Sequence, residues 1–261
     1  MIGFDDILSQ LNQFENAKGK TVIVHTSLKA VGKIDGGAET LLNALIKYFT
    51  VDNGILCVPT HTWNSTIYDR RKAESCVGAL PIAAAAHPDA LRTLHPTHSI
   101  ALFGDKTKIN EYAEFESVSD TPANPNGPLG KLYRDGGYVL LIGVGHTKNT
   151  YLHCVEEMLN VPERLTAEKV ERTIIHKDGK LEKRYLHWYD NSKIADVSAN
   201  FGKFEKAFRY HGCIIDGKIG NAEVQLCDAR KMKDVLELIY TNNGYKELLS
   251  DDLPLDDALY K

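Results

Sequence analysis

Apolar residues recur at helical spacing over residues 4–14, where Phe4, Ile7, Leu8, Leu11 and Phe14 share one face. They do so again over residues 38–49, where Leu41, Leu42, Leu45 and Ile46 point inward. Two short apolar runs without helical period, residues 21–25 and 55–58, read as strands. A loop over residues 27–37, with Gly32, Gly36 and Gly37, joins the first strand to the second helix. This β-loop-α-β order predicts an α/β core with at least one parallel strand pair. Beyond it, residues 64–75 are polar and read as a loop, and residues 78–86 as a small alanine-rich helix. Residues 101–103 form a short strand. Residues 117–130, with Pro122, Pro125 and Pro128, form a long irregular loop of the kind that is often functional.

The last third has a different rhythm. Residues 169–175 and 181–188 flank Lys177-Asp178-Gly179, a strong hairpin signal. Residues 213–215 and 218–219 flank Asp216-Gly217, a second one. Residues 223–227 then read as a strand, and Asp228 caps a final helix that runs through Tyr240. The pattern predicts one α/β domain over residues 1–261 with a mixed sheet, and a hairpin-rich subregion at about 165–225.

Chemistry concentrates in LLIGVGHTKNTYLHCVEE, residues 140–157. An apolar strand breaks at Gly143 and Gly145, and Asn149 and Thr150 open an amphipathic helix that ends before Pro162. Glu156 and Glu157 stand three and four residues after His153, so either can share a helix face with it. A carboxylate so placed holds a histidine as an oriented base, at a strand-to-helix crevice where α/β proteins commonly bind ligands. The positive end of the helix disfavours imidazolium, and a paired carboxylate favours it as a proton arrives. Backbone N–H groups at Ser27 or at residues 143–145 are candidate oxyanion donors.

Other chemistries fit less well. Gly143-Val144-Gly145 is followed by Lys148 where G-x-G-x-x-G needs glycine, and no Walker A run occurs. His95 and His98 are three apart, but no H-E-x-x-H or thiolate pair supports a metal, and His95 precedes a proline. Cys154 adjoins His153, and helix neighbours do not face each other, so it reads as a small core residue.

The chain has 261 residues, a net charge of −4 and 43% apolar residues. This suits a sizeable core and suggests no nucleic-acid partner. No apolar run reaches membrane-spanning length, and the N-terminus lacks a basic leader. Five scattered cysteines without C-x-x-C read as reduced thiols in the cytoplasm.

Four blocks in order give a resemblance over nearly the whole chain. They are HTSLKAVGKIDGGAETLLNAL from His25, VGALP from Val77, LHPTHSIALFG from Leu94 and PLGKLYRDGGYVLLIGVGHTKNTYLHCVEE from Pro128. AEVQLCDAR, from Ala222, adds a weaker fifth. The sequence resembles the aminoglycoside 3-N-acetyltransferase (antibiotic N-acetyltransferase) family, and most closely its short Gram-positive members. That family is distinct from the GNAT acetyltransferases. The resemblance implies a three-layer α/β/α fold with a mixed sheet and antiparallel hairpins in the C-terminal third. It also implies acetyl-coenzyme A as co-substrate and a small aminosugar as acceptor. No metal is expected from the residues, and the expected state is a monomer or homodimer. His153 matches the family's L-H-x-x-E histidine, the general base, and Glu156 its orienting glutamate. His95 matches a second active-site candidate. Thr26, Ser27, Leu28, Val31 and Gly32 match the loop that cradles coenzyme A, and Thr93 and Ser99 flank the central block near the cofactor. His98 and His146 are second-rank candidates.

A polycationic acceptor calls for carboxylates. Asp69, Glu74, Glu114, Glu116 and Asp120 are the candidates, with Trp63 and Tyr68 as stacking surfaces. Lys29 and Lys33 could assist with phosphates. The tail acids Asp251, Asp252, Asp256 and Asp257 read as frayed or exposed. The expected activity is acetyl-CoA-dependent N-acetylation of an aminoglycoside or related aminosugar by direct transfer. The alternatives are N-acylation of a cell-surface or nucleotide-linked aminosugar, and coenzyme A binding without turnover.

Overall fold

The inner strands of the central sheet split their side chains between two cores, and that alternation builds the layers. The computed structural model describes residues 1–72, 74–117, 119–192, 196–245 and 254–261. In chain order the elements are α1 (Phe4–Leu11), β1 (Thr21–Thr26), α2 (Leu28–Val31), α3 (Gly37–Phe49), β2 (Ile55–Pro59), β3 (Ile67–Asp69), α4 (Ala79–Ala86), β4 (Leu91–Arg92) and β5 (Ile100–Phe103). They continue with α5 (Lys106–Ser117), α6 (Pro128–Asp135), β6 (Tyr138–Ile142), α7 (Tyr151–Met158), β7 (Val170–Ile175), β8 (Leu181–Leu186), α8 (Glu205–Tyr210), β9 (Ile214–Ile219), β10 (Ala222–Asp228) and α9 (Ala229–Asn242).

The main sheet has the order β4-β5-β2-β1-β6-β10-β9. β1 pairs in parallel with β2 and β6, while β5, β10 and β9 join antiparallel. Val22, Val24, Leu140 and Ile142 face a core shared with α1, α3 and α4. Ile23, Val139 and Leu141 face the opposite core, with α6, α7, α8 and α9. This period-2 division puts helices on both faces, as a parallel centre requires. The result is the expected three-layer α/β/α arrangement with a mixed sheet.

The first hairpin forms as expected, β7 against β8 in antiparallel register. It belongs to a separate three-stranded sheet, β3-β7-β8, in which β3 runs parallel to β7. The polar stretch at residues 64–75 is therefore not all loop. It contributes β3, whose Tyr68 is buried, and Tyr68 donates from its hydroxyl to the Thr93 carbonyl at 3.0 Å.

The second hairpin turns at a different place. Asp216-Gly217 lies inside β9, and the reversal comes at Gly220 (φ 56°) and Asn221. Gly217 is there for packing, because a Cβ on it would stand 2.5 Å from Cζ of Phe14. The irregular loop also ends earlier than its prolines suggest. Pro128 opens α6 at a first-turn position, where its missing N–H costs nothing. Asp228 caps α9 as read, its side chain accepting from the Lys231 amide.

Candidate active site

β1 sits at the point where the chain crosses from β2 on one side to β6 on the other. In parallel sheets a crevice opens at the carboxyl ends of such strands. A cavity of about 590 Å³ lies there. His25 and Thr26 end β1, Pro59 ends β2, and His61 and Trp63 follow it. The turn after β6 contributes Val144 and residues 147–150, and α7 contributes His153 and Glu156. A cap of Trp188, Tyr189, Asp190, Asn191 and residues 196–198 closes the remaining side.

Helix α7 starts as its sequence requires. Asn149 accepts from the Tyr151 amide through Oδ1 at 3.2 Å, and its carbonyl accepts from the Leu152 amide. Nδ1 of His153 then meets Oε2 of Glu156 at 2.8 Å. With Glu156 ionised, Nδ1 carries the donated hydrogen and Nε2 keeps its lone pair. Oε1 of Glu156 lies 3.9 Å from Nε of Arg164, a buried ion pair behind the dyad.

The open choice between the two glutamates is thus resolved by register. Glu157 turns the other way, accepting from Thr121 Oγ1 at 2.6 Å and from the Ala123 amide at 3.1 Å. Burial pushes the Glu157 carboxyl up to about 7. Aromatic rings enclose the imidazole of His153. Tyr189 stacks on it with centroids 4.5 Å apart and planes 29° apart, and Phe201 meets it edge-on at 4.8 Å.

Opposite α7 stand three more histidines. The rings of His61 and His98 lie 4.5 Å apart, and Trp63 packs within 4.9 Å of His61 and 5.4 Å of His98. Burial holds His61 and His98 well below the ordinary imidazole range and brings His25 down to about 3. This wall is therefore uncharged at neutral pH.

The other sequence candidates divide. Thr26 lines the cavity. Ser27 instead caps α2, accepting from the Ala30 amide through Oγ at 3.3 Å. Leu28 and Val31 pack into the core beside α3. Gly32 leaves room for the Asn221 side chain, whose Nδ2 would lie 2.8 Å from an added Cβ. Thr93 and Ser99 are buried away from the cavity. Thr93 Oγ1 accepts from the Ile100 amide at 2.9 Å, and Ser99 joins a network around Arg92.

His95 lies beneath His98 and spends both ring nitrogens. Nδ1 accepts from the His98 amide at 3.0 Å, and Nε2 donates to the Thr121 carbonyl at 3.1 Å. The structure brings it to a small void with Glu116, not to the main cavity. His146 is buried against Phe208, with centroids 5.0 Å apart.

Two proposed oxyanion donors are already engaged. The Ser27 amide donates to the Ile142 carbonyl at 2.9 Å, and the Gly143 amide to the Glu223 carbonyl at 2.8 Å. The acidic acceptor candidates also lie outside the cavity lining. Asp69 pairs with Arg71, Glu74 with Lys72 and Asp120 with Lys169, while Glu116 accepts from the His95 amide. The sequence reading missed Asp190 and Asp196, which do line the cavity. Asp251 and Asp252 lie outside the described residues, and Asp257 is paired with Lys206 and Lys261. The five cysteines are free thiols. Among the described residues no group of three or more metal-ligating side chains assembles, and no helix is long and apolar enough to cross a membrane.

Comparison with known proteins gives a consistent picture. The family model described as aminoglycoside 3-N-acetyltransferase matches residues 23–240. Aminoglycoside N(3)-acetyltransferase VII of Streptomyces paromomycinus is 30% identical over 246 residues, covering 83% of each chain. The SPbeta prophage-derived aminoglycoside N(3')-acetyltransferase-like protein YokD of Bacillus subtilis (strain 168) is 25% identical, covering 88% of this chain and 89% of its own. Among solved structures, aminoglycoside acetyltransferase AAC(3)-Xa superposes with a TM-score of 0.74 at 26% identity, covering 88% of this chain and 90% of that one. AAC-IIIb, solved as a binary complex with CoASH, gives the same TM-score at 21% identity and shares the fold, covering 94% of this chain and 97% of that one.

Proposed function

The chain belongs to the aminoglycoside 3-N-acetyltransferase family, a family of acyltransferases, and from that premise we propose that it transfers acetyl from acetyl-coenzyme A to an amine of an aminoglycoside or related aminosugar, with His153 as general base. The observation that carries this reading is the 2.8 Å contact between His153 Nδ1 and Glu156 Oε2 on the wall of the cavity. It fixes the tautomer in which Nε2 is the basic nitrogen.

A free amine attacking a thioester carbonyl forms the new C–N bond and must lose a proton as the C–S bond breaks. Nε2 of His153 takes that proton and returns it to the departing sulfur. Glu156 stabilises the transient imidazolium, and Arg164 stands behind it, its Nε 3.9 Å from Glu156 Oε1. No cysteine is needed, so transfer is direct. When bound, acetyl-coenzyme A supplies the activated acyl group. The residues present fit such a ligand, because His25 Nε2 and Thr26 Oγ1 are buried at the end of β1 without hydrogen-bond partners among the described residues. Lys148 at the rim provides a cation for its phosphates.

The test is release of free coenzyme A thiol on mixing the protein with acetyl-coenzyme A and a panel of aminoglycosides and nucleotide-linked aminosugars. Amine-dependent thiol release is expected with at least one of them. Acetyl-coenzyme A should also raise Tm by mass action. Absence of both, with millimolar ligand, would refute the proposal.

A further inference from the structure

The histidine is not held by its glutamate alone. The segment after α7 pairs with the segment after β8. Leu165 bridges Tyr189 in antiparallel register, the Asp190 amide donates to the Arg164 carbonyl at 2.9 Å, and the Thr166 amide donates to the Trp188 carbonyl at 2.8 Å. This short ladder delivers two side chains to the dyad from opposite strands. Arg164 reaches Glu156, and Tyr189 lays its ring on His153.

We propose that this ladder is a positioning element for the base, in which the face of Tyr189 fixes the imidazole plane and Arg164 holds the glutamate that orients it. The inference rests on His153 being the base. Tyr189 acts through its ring, because its hydroxyl is buried and has no hydrogen-bond partner among the described residues. A single hydrogen bond to Glu156 leaves the imidazole free to tilt about that bond. Tyr189 on its face and Phe201 at 4.8 Å remove the tilt from two directions. A stacked ring also offers its π-face to imidazolium as the proton arrives. Glu157 faces away from His153, toward Thr121 and Ala123, and does not constrain its ring plane. Tyr189 is thus a positioning residue, 36 positions beyond the histidine it serves.

The experiment is a double-mutant cycle between His153→Ala and Tyr189→Leu, with Tyr189→Phe as the conservative variant and Tm recorded for each. Tyr189→Leu should lower kcat about tenfold, the upper range for an aromatic pair, with little change in KM. Tyr189→Phe should keep kcat within about twofold, since it keeps the ring. In the His153→Ala background, Tyr189→Leu should cause no further loss, because no imidazole remains to position. An additive loss there, a loss confined to KM, or equal loss in Tyr189→Phe would overturn the positioning role and leave the base standing. A near wild-type kcat in His153→Ala would instead remove the base. If Tyr189→Leu does not fold, Phe201→Leu removes the other constraining ring and carries the same expectations.

Discussion

The two walls of the cavity are specified over very different distances along the chain. On one wall, His153 and Glu156 sit within a single turn of α7, and their meeting follows from helix geometry. The facing wall gathers Trp63, His98, Trp188 and Tyr189 from separate connections, and its rings meet only after the two sheets have formed. The helical wall presents the proposed base, with a carboxylate oxygen 2.8 Å from its Nδ1. The facing wall is aromatic and uncharged, which suits contact with a ring and the exclusion of water. Local encoding places His153 beside its glutamate, and long-range assembly brings the rings that pack on and face that pair.

The largest expected effect lies on the helical wall. His153→Ala should lower kcat by about 10²–10⁴-fold, the usual worth of a positioned base. Affinity for coenzyme A should change little, because the proposed base acts on the acceptor amine. Glu156→Gln should cost less, since it weakens the orientation of the base without deleting it. Glu157→Gln should cost least of the three, because Glu157 is tied to Thr121 and Ala123. Steady-state kinetics with a confirmed acceptor checks the ranking. If Glu157→Gln proves more damaging than Glu156→Gln, the contrast between these neighbouring carboxylates is drawn the wrong way round.

The same contrast explains what could be read from the sequence. The spacing of His153, Glu156 and Glu157 narrowed the partner to two residues, and only the rotation of α7 chose between them. The short apolar run over residues 21–25 marked a strand, and the β-loop-α-β order marked the α/β core, while the three layers followed from the family resemblance. Arg164, Tyr189 and Phe201 were not legible. Each looks like ordinary loop or core sequence, and its role arises from pairing across long separations. The Asp216-Gly217 signal misled because the same dipeptide serves a tight turn or a close packing contact, and Phe14 decides which. The acidic acceptor candidates failed for a related reason. Surface carboxylates near a loop look alike in sequence, whether they face a cavity or a neighbouring lysine.

Acid should act through the buried histidines. Burial holds His25, His61, His95, His98 and His146 below the ordinary value of 6.5, so each is neutral in the fold at neutral pH. Below about pH 6.5 the unfolded chain binds protons at these positions that the folded chain refuses, and stability falls as pH drops. Glu116 and Glu157 oppose this. Each is raised from 4.5 to about 7, so the folded chain keeps protons that the unfolded chain has lost across that window. Their contribution declines as pH rises. Five histidines outweigh two carboxyls, so Tm should fall between pH 7 and pH 5.5. His95→Asn should flatten that fall, since His95 is brought down to about 3. A Tm that rises over the same interval would show that the carboxyls dominate and that the neutral wall is not the acid-labile one.

The smallest expected effect on rate is at Cys154, beside His153 in sequence but on the other side of α7. The cysteine is fully buried among Leu152, Val155 and the helices behind the sheet, and burial pushes its thiol well above the ordinary range. A thiol so placed is a poor nucleophile, because the thiolate is the reactive form. Cys154→Ala should therefore keep kcat within about twofold while losing some stability to the space left by sulfur. Cys154→Ser should cost more stability, about 1–3 kcal/mol, because a hydroxyl there has no assured partner. Mass spectrometry of the enzyme with acetyl-coenzyme A should show no covalent acetyl on any cysteine. An acetyl thioester trapped at Cys154, or loss of turnover in a well-folded Cys154→Ala, would move the chemistry off the cavity wall and into the core. Direct transfer would then give way to a two-step path through the enzyme.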